Sequence, residues 1–484
     1  MHQKSLKKNA ILNVIKTLMS VIFPLVTFPY ASRVLSPEGI GRVNFATSII
    51  SYFALLASLG INSYGVREGA KIRGSKENLS VFSKEIFSIN MVSTILAYIF
   101  LGFAITAIPK LQEYASLLIV CSTTILFSTL GMEWLYTAVE DFTYITVRSV
   151  VFQFLSLILL LLFVHDSNDI LKYAAISVFS SVGSNILNFI HARKYVSFRG
   201  VNVKVTALKR HILPITILFV MALTSSIYTI LDTSMLGFLT TDYQVGIYTA
   251  ATKVNRIILN VVVSVGTVLM PRLAYYYGTN DKNKFSSLAY KSVDLLLMTA
   301  LPAAIGLSIL APSVLLVISG EQYSAAIPVM QIINPIIVVV GLSNFVGVQI
   351  FMPLGKEKWT LYSDIAGASI NIVLNALLIP RFGAMGAAIA SVSAEVTVTG
   401  VQLFLAKSYL SLKIIFKKCA YYFLLSIGMG AAVLITQAIL PFRNHLIKMI
   451  LGILCGMLVY IVELFLTKNE WTQFAITYVK EKRK

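Results

Sequence analysis

The sequence predicts an all-α polytopic membrane protein, because of its composition and the length of its apolar runs. Of its 484 residues, 57% are hydrophobic and 13% are charged, which is about half the charged share of a soluble domain. The apolar runs are long enough to cross a hydrocarbon layer of about 30 Å as helices and too long for barrel strands. Lipid offers no hydrogen-bond partner to the backbone, so each span is expected to be a helix.

The polar stretch 28–41 joins the first two apolar runs, and it predicts a helical hairpin. Pro24 and Pro29 lie near the end of the first run, where a missing amide donor bends or stops a helix. Pro37 and Gly39 are expected to form the turn.

Fourteen transmembrane helices are expected along the chain. With both termini in the cytoplasm, about thirty of the 40 Lys and Arg residues, Arg148 among them, fall on the cytoplasmic side and about seven fall outside. The first run carries no small-residue cleavage site and is interpreted as a retained span. The expected spans are 9–31, 42–64, 83–108, 115–138, 143–164, 171–191, 212–238, 246–270, 286–310, 327–350, 360–380, 384–406, 419–440 and 445–467.

An internal repeat sets the expected domain organisation. Residues 40–47 resemble residues 245–252 at an offset of 205, and the same offset carries Arg67 onto Arg272. Two copies of six helices face the same way in the membrane, as in transporters with parallel repeats, and a binding site between the copies is then expected. The predicted domains are two parallel-related six-helix bundles plus two extra C-terminal helices and a basic cytoplasmic tail, with bounds 1–208, 209–410 and 411–484.

The hairpin sequence carries a family resemblance. Pro29-Tyr30-Ala31-Ser32-Arg33-Val34-Leu35-Ser36-Pro37-Glu38-Gly39-Ile40-Gly41 is followed by Asn44-Phe45-Ala46 and by Tyr64-Gly65-Val66-Arg67-Glu68. This pattern resembles the polysaccharide repeat-unit flippases of O-antigen and capsule assembly. They belong to the multidrug/oligosaccharidyl-lipid/polysaccharide (MOP) exporter superfamily, which also contains the lipid II flippases. The close match covers about the first seventy residues, and many relatives lack helices thirteen and fourteen.

The resemblance implies transport across the bacterial cytoplasmic membrane. The expected substrate is an undecaprenyl-diphosphate-linked oligosaccharide, moved from the inner to the outer leaflet through a V-shaped cavity by alternating access. The expected partners are membrane lipids and the polysaccharide polymerase machinery, and the chain is expected to act as a monomer. The net charge of +19 is attributed to the excess of Lys and Arg on the cytoplasmic side, so nucleic acid is not an expected partner.

Cations within the apolar runs are candidates for the diphosphate. Arg binds phosphate oxygens in a bidentate way and Lys binds them as a point charge. Snorkelling to the headgroups is the alternative for Lys16, and solvation is the alternative for Arg33 and Arg42. Glu133 and Trp134 are candidates for sugar contact, although a Trp near a membrane interface is common. The predicted substrate-binding residues are Asn13, Lys16, Arg33, Arg42, Glu133, Trp134, Lys253, Arg256 and Asn260.

Carboxylates in the later spans are candidates for energy coupling. The resemblance to lipid II flippases implies a sodium site among spans seven, eleven and twelve, and oxygen ligands suit that cation. A carboxylate could instead carry a proton. Ion pairs with Lys253 or Arg256 that hold a closed gate are the alternative role. The predicted coupling residues are Asp232, Asp364, Asn371, Asn375 and Glu395, with Na⁺, H⁺ or the membrane potential as the driving force and no other cofactor.

Two other functions are weighed against the flippase. A cation-coupled multidrug exporter of the same superfamily would favour an acidic cavity, whereas a diphosphate favours a basic one, and Lys16, Lys253 and Arg256 indicate the latter. A membrane-embedded glycan polymerase or ligase is disfavoured. The five histidines lie in tails or at span ends without metal spacing, and no phosphate-binding glycine loop or nucleophile elbow is present. The chain is therefore predicted not to be an enzyme.

Overall fold

A computed structural model describes residues 6–198, 205–267, 269–439 and 444–473. In these residues the regular structure is helical throughout, as predicted. The helices are α1 (Leu6–Ser58), α2 (Ile61–Ile72), α3 (Lys76–Ala107), α4 (Pro109–Gln112), α5 (Ala115–Gly131), α6 (Glu133–Ala138), α7 (Phe142–Phe163), α8 (Ile170–Val178), α9 (Asn185–His191), α10 (Val205–Leu239), α11 (Asp242–Thr267), α12 (Met270–Gly278), α13 (Lys282–Ser319), α14 (Ala326–Ile333), α15 (Ile336–Asn344), α16 (Glu357–Ala406), α17 (Leu412–Ile439) and α18 (His445–Leu466).

The chain is a multi-pass membrane protein. Within the described ranges, ten helical segments are long and apolar enough to cross a membrane. Helices α1 and α16 each contain one residue with non-helical backbone, Ser36 and Gly383, so each consists of two helices joined at a kink. The count of fourteen spans stays a prediction.

The α1 kink differs from the predicted turn. Only Ser36 leaves helical geometry, with φ of 62°, whereas Pro37 and Gly39 lie within the second helical arm. Proline is tolerated in the first turn of a helix, where its missing N–H has no partner in any case. The Ser36 hydroxyl donates to a Glu38 carboxylate oxygen at 2.9 Å and stabilises the start of that arm. The second arm therefore begins about five residues earlier than expected.

Contacts divide the chain into two compact units, Met1–Gly246 and Ile247–Lys484. Helix α10 belongs to the first unit, although the repeat places it in the second copy. The domain bounds 1–208 and 209–410 describe the predicted repeat and stay a prediction. The division after Gly246 describes only which residues contact one another.

Within the first unit, two glycines make a reciprocal close approach. A Cβ on Gly41 would lie 1.8 Å from the Asp242 carbonyl oxygen, and one on Gly246 would lie 1.9 Å from the Pro37 carbonyl oxygen. The offset of 205 relates Gly41 to Gly246 and also Pro37 to Asp242. Such mutual contact between equivalent residues is the form that a two-fold axis produces, which agrees with the repeat.

In the second unit, α17 and α18 pack on α13 and share its hydrophobic core. Lys418 Nζ donates to Oδ1 of the buried Asp294 at 2.6 Å, and Trp471 Nε1 donates to Oδ2 at 3.1 Å. Asn469 donates to the Tyr422 hydroxyl at 2.9 Å. The two C-terminal helices are therefore part of the second unit's core.

We expect Lys418→Met to lower the free energy of unfolding by about 3 kcal/mol, because it leaves the buried Asp294 carboxylate without its cation. Lys417→Met changes a neighbouring exposed lysine and is the matched control. Thermal unfolding of the detergent-purified protein measures both. Equal melting temperatures for the two variants would show that the ion pair does not stabilise the unit.

Candidate functional site

Lys16 and Glu133 form an ion pair inside the first unit. The Lys16 ammonium donates to Glu133 Oε1, and the two side chains are 31% and 42% exposed. Glu133 is the first residue of α6, after Met132, whose φ of 41° breaks the helix between α5 and α6. A carboxylate at a helix N-terminus is favoured by the helix dipole. The structure thus joins two residues that the sequence predicted separately as ligands for diphosphate and for sugar.

Arg148 lies close to this pair, and the sequence interpretation missed it. The sequence counts it among the cytoplasmic charges, which stays a prediction, and the residue is 7% exposed on α7. Its Nη1 lies 3.4 Å from the Ser184 carbonyl oxygen, its guanidinium lies 5.9 Å from the Tyr144 ring centroid, and Glu133 attracts it electrostatically. The available signal was its position, about two turns inside an apolar run, where a charge is usually functional.

Helix α7 is held beside the N-terminal arm of α1. The Thr146 hydroxyl donates to the Leu12 carbonyl oxygen at 3.2 Å, one helical turn from Lys16. Lys16, Glu133 and Arg148 thus bring two cations and one carboxylate from three helices into one cluster. The side chain of Asn13, also predicted to bind substrate, lies outside the described part of the structure.

The second unit presents its own cations on α11. Lys253 is half-buried and Arg256, one turn later, is exposed, as is Asn260 after a further turn. The two positive charges repel each other. The helix is anchored from its other side, where Asn255 donates to Asn334 Oδ1 at 3.2 Å and Asn334 donates to the Ser308 hydroxyl at 3.1 Å. Such an arrangement attracts a polyanion.

The predicted coupling residues divide between the units. Asp232 is buried on α10 of the first unit, whereas Asp364 and Glu395 are half-buried on the two arms of α16 in the second. Asn371 and Asn375 are buried and bonded to each other, Nδ2 to Oδ1, at 3.0 Å. Nearby, the Gln402 amide donates to the Ser363 hydroxyl at 3.1 Å. The oxygens on α16 could serve a cation, and their coupling role stays a prediction.

Comparisons with known proteins decide the family. The model described as "Polysaccharide biosynthesis protein" matches residues 6–276. The chain belongs to this polysaccharide biosynthesis protein family. The MatE model also matches, at residues 214–377. These matches confirm the resemblance that the hairpin sequence indicated.

Relatives of this family member include the Escherichia coli (strain K12) protein named "Putative O-antigen transporter", 25% identical over 84% of this chain and 97% of that protein. A solved structure titled "Lipid II flippase MurJ, inward closed conformation" has a TM-score of 0.76 at 17% identity, covering 95% of this chain and 99% of that one. An inward-facing MATE multidrug resistance transporter has a TM-score of 0.62 at 13% identity, covering 84% and 99%. The two structures establish a shared fold.

Arg33 and Arg42 of this family member both have protein partners in the first unit. Arg33 is exposed, and its Nη1 donates to the Pro29 carbonyl oxygen at 2.7 Å. Arg42 Nε lies 3.8 Å from Asp242 Oδ2, and its guanidinium lies 5.5 Å from the Tyr114 ring centroid. Tyr114 donates in turn to the same Asp242 carboxylate. Both arginines therefore support the hairpin, and substrate contact remains a prediction for them.

A second buried cluster joins α2, α3 and α10. Glu85 Oε2 accepts from Arg210 at 2.6 Å and lies 2.9 Å from His211 Nε2, while the Tyr64 hydroxyl lies 2.7 Å from His211 Nδ1. A cleft of about 520 Å³ lies beside it, lined in part by Lys71 and Arg210. The cluster explains Tyr64 of the family pattern as an anchor for the start of α10.

Trp134 occupies a core position. The residue is 3% exposed, its ring meets Phe82 edge-on at 5.7 Å, and a Cβ on Gly65 would lie 2.5 Å from the indole. At Gly69 the same approach is 3.3 Å. Gly65 of the family pattern therefore makes room for the indole, and the surrounding protein covers the ring. Covered in this way, the ring has no surface for stacking on a sugar.

We expect a graded loss of stability when these glycines gain a methyl group. Gly65→Ala should lower the free energy of unfolding by about 1–3 kcal/mol through overpacking against Trp134, and Gly69→Ala should cost less. Gly102→Ala, at a helical position with open space around it, is the control and should be neutral or stabilising by up to about 1 kcal/mol. Thermal melts of the three purified variants test the order. Similar melts for Gly65→Ala and Gly102→Ala would contradict a packed indole.

Proposed function

We propose that this protein translocates an undecaprenyl-diphosphate-linked oligosaccharide from the inner to the outer leaflet of the bacterial cytoplasmic membrane. The product would serve O-antigen, capsule or a related surface polysaccharide. Family membership and the transporter and flippase names of the relatives support this reading. The observation that carries it is the presence of exposed or half-buried cations on otherwise apolar helices, namely Lys16 on α1 and Lys253 and Arg256 on α11.

The diphosphate is the part of the substrate that these residues can recognise. It carries a dense negative charge, which costs a great deal to move through hydrocarbon unless cations accompany it. Arg256 supplies a planar fork for phosphate oxygens, and Lys253 supplies a point charge one turn away. Asn260, exposed on the same helix, can offer its amide to phosphate or sugar hydroxyl oxygens. The polyprenyl chain would remain in lipid.

The proposed mechanism is alternating access by a fourteen-span monomer with both termini in the cytoplasm. The kinks at Ser36 and Gly383 support this count, since each divides a long helix into two span-length arms. Asp232, Asp364, Asn371, Asn375 and Glu395 are proposed to couple transport to Na⁺ or H⁺, with the membrane potential as an alternative driving force. Transfer to polysaccharide polymerase machinery would follow on the outer side.

Arg256→Ala should abolish surface glycan in a strain whose own repeat-unit flippase is deleted and replaced by this protein. The reason is that the diphosphate loses its bidentate partner. Glycan display is measured by immunoblot, and membrane insertion by the amount of tagged protein in the membrane fraction. Arg193→Ala, at an exposed arginine outside the proposed site, is the control and should display normal glycan. Normal display in Arg256→Ala cells would refute the assigned role.

A cation-coupled multidrug exporter is the second candidate. The half-buried carboxylates Asp364 and Glu395 on α16 favour it, because acidic groups attract cationic drugs, and the MatE match spans Asp364. Ethidium efflux from cells that express the wild-type protein or Asp364→Asn/Glu395→Gln separates the two functions. The flippase proposal expects no efflux above the empty-vector level for either protein. Efflux that depends on the two carboxylates would support the exporter instead.

A further inference from the structure

We propose that Glu133 is an internal counter-anion that holds Lys16 until the substrate diphosphate replaces it, and that Arg148 receives the displaced carboxylate. The inference deepens the proposed function and rests on it. It assigns a role to a carboxylate that otherwise opposes the binding of an anion, and to a buried arginine that the proposed transport mechanism does not yet use. Arg148 is a positioning residue in this scheme, because it acts through Glu133.

The first step concerns the occupancy of Lys16. Its ammonium is already bonded to the Glu133 carboxylate, so a diphosphate can reach it only by exchange. Both side chains are partly exposed, at 31% and 42%, and ion pairs with that much solvent contact are worth only about 0–1 kcal/mol. An incoming diphosphate carries more charge than one carboxylate. Exchange at Lys16 is therefore energetically accessible.

The second step concerns the carboxylate that leaves. A Glu133 carboxylate left beside the diphosphate would be repelled by it as a like charge, which would cancel much of the gain from phosphate binding. Arg148 removes that cost, since Glu133 already attracts its guanidinium. Its Nε is buried and has no hydrogen-bond partner among the described residues. One donor of the guanidinium fork is thus available for the carboxylate.

The third step concerns why Arg148 does not bind the substrate itself. The side chain is 7% exposed, so it cannot reach a ligand without unpacking. Its guanidinium lies over Tyr144, whose ring stacks on His191 with centroids 3.9 Å apart. These stacked rings pack against the guanidinium and fix its position. Through the exchange no charge loses its partner, since Lys16 passes from carboxylate to phosphate and Glu133 passes from ammonium to guanidinium.

Binding of undecaprenyl diphosphate to the full-length protein in nanodiscs tests the exchange, with undecaprenol as the uncharged control ligand. The variants are Glu133→Gln, Arg148→Gln, Arg148→Lys and the double variant Glu133→Gln/Arg148→Gln. We expect Glu133→Gln to bind up to about fivefold more tightly, because Lys16 is released from a pair worth at most about 1 kcal/mol, and Arg148→Gln to bind several-fold more weakly, because Glu133 cannot leave. Arg148→Lys keeps the charge and should lie between Arg148→Gln and the wild type.

The double variant separates this exchange from other roles of Arg148. Without Glu133 there is no carboxylate to receive, so Glu133→Gln/Arg148→Gln should bind as tightly as Glu133→Gln alone. A double variant as weak as Arg148→Gln would overturn the proposal and make Arg148 a direct ligand. Equal affinities for wild type and Glu133→Gln would also overturn it and leave the ion pair a purely structural link between α1 and α6.

Two further readouts keep the outcomes distinct. If Arg148→Gln fails to fold, as a lost thermal transition would show, the comparison of wild type with Glu133→Gln and Arg148→Lys still decides the matter. If the wild-type protein binds undecaprenol and undecaprenyl diphosphate equally, the proposed function fails, whatever the variants do. A preference for the diphosphate without the expected coupling between Glu133 and Arg148 removes the exchange and leaves the proposed function standing.

Discussion

A charge on an apolar helix needs a counter-charge, a hydrogen-bond partner or water, and this constraint governs where the polar residues of both units lie. Lys16 has Glu133, Asp294 has Lys418, and Glu85 has Arg210 and His211. The pairs differ in exposure. Asp294 and Glu85 are buried and hold helices together, whereas both side chains of the Lys16 pair are partly exposed, as the proposed exchange requires. The two buried carboxylates therefore serve packing, and the partly exposed Lys16 pair is the one proposed to meet a ligand.

The same constraint limits what the sequence could predict. Helix type, membrane class and the cations on α1 and α11 follow from composition and 3.6-residue spacing, which are local properties. The pairing of Lys16 with Glu133 joins residues 117 positions apart, and no local pattern contains that information. The burial of Arg148 could not be predicted for a related reason, since the residues that cover it come from distant parts of the chain, such as Ser184.

Two glycines of the family pattern are explained by close packing, whereas charge explains other positions of that pattern. Gly65 accommodates the indole of Trp134, and Gly41 accommodates the carbonyl of Asp242. In both cases a missing Cβ permits an approach that any other side chain would block. The sequence showed these glycines as elements of a pattern, but their partners come from distant helices. This is why Trp134 was expected to meet a sugar and was instead found in the core.

The reciprocal contact of Gly41 and Gly246 connects the repeat to the mechanism. A Cβ atom built on either glycine would lie less than 2 Å from a backbone carbonyl oxygen of the other segment, so the two backbones are in contact. Only glycine permits such contact on both sides. Equivalent residues of a repeat meet where a two-fold symmetry axis passes. The Arg42, Tyr114 and Asp242 contacts lie beside it and have no counterpart at the 205 offset, where Ile247 replaces Arg42. The backbone contact at the glycines is therefore symmetric, whereas the polar contacts of Asp242 with Arg42 and Tyr114 are specific to one copy. A conformational change that separated the two backbones would break both polar contacts to Asp242, from Arg42 and from Tyr114, and would disturb the buried side chains of Ile40 and Val245 beside the glycines.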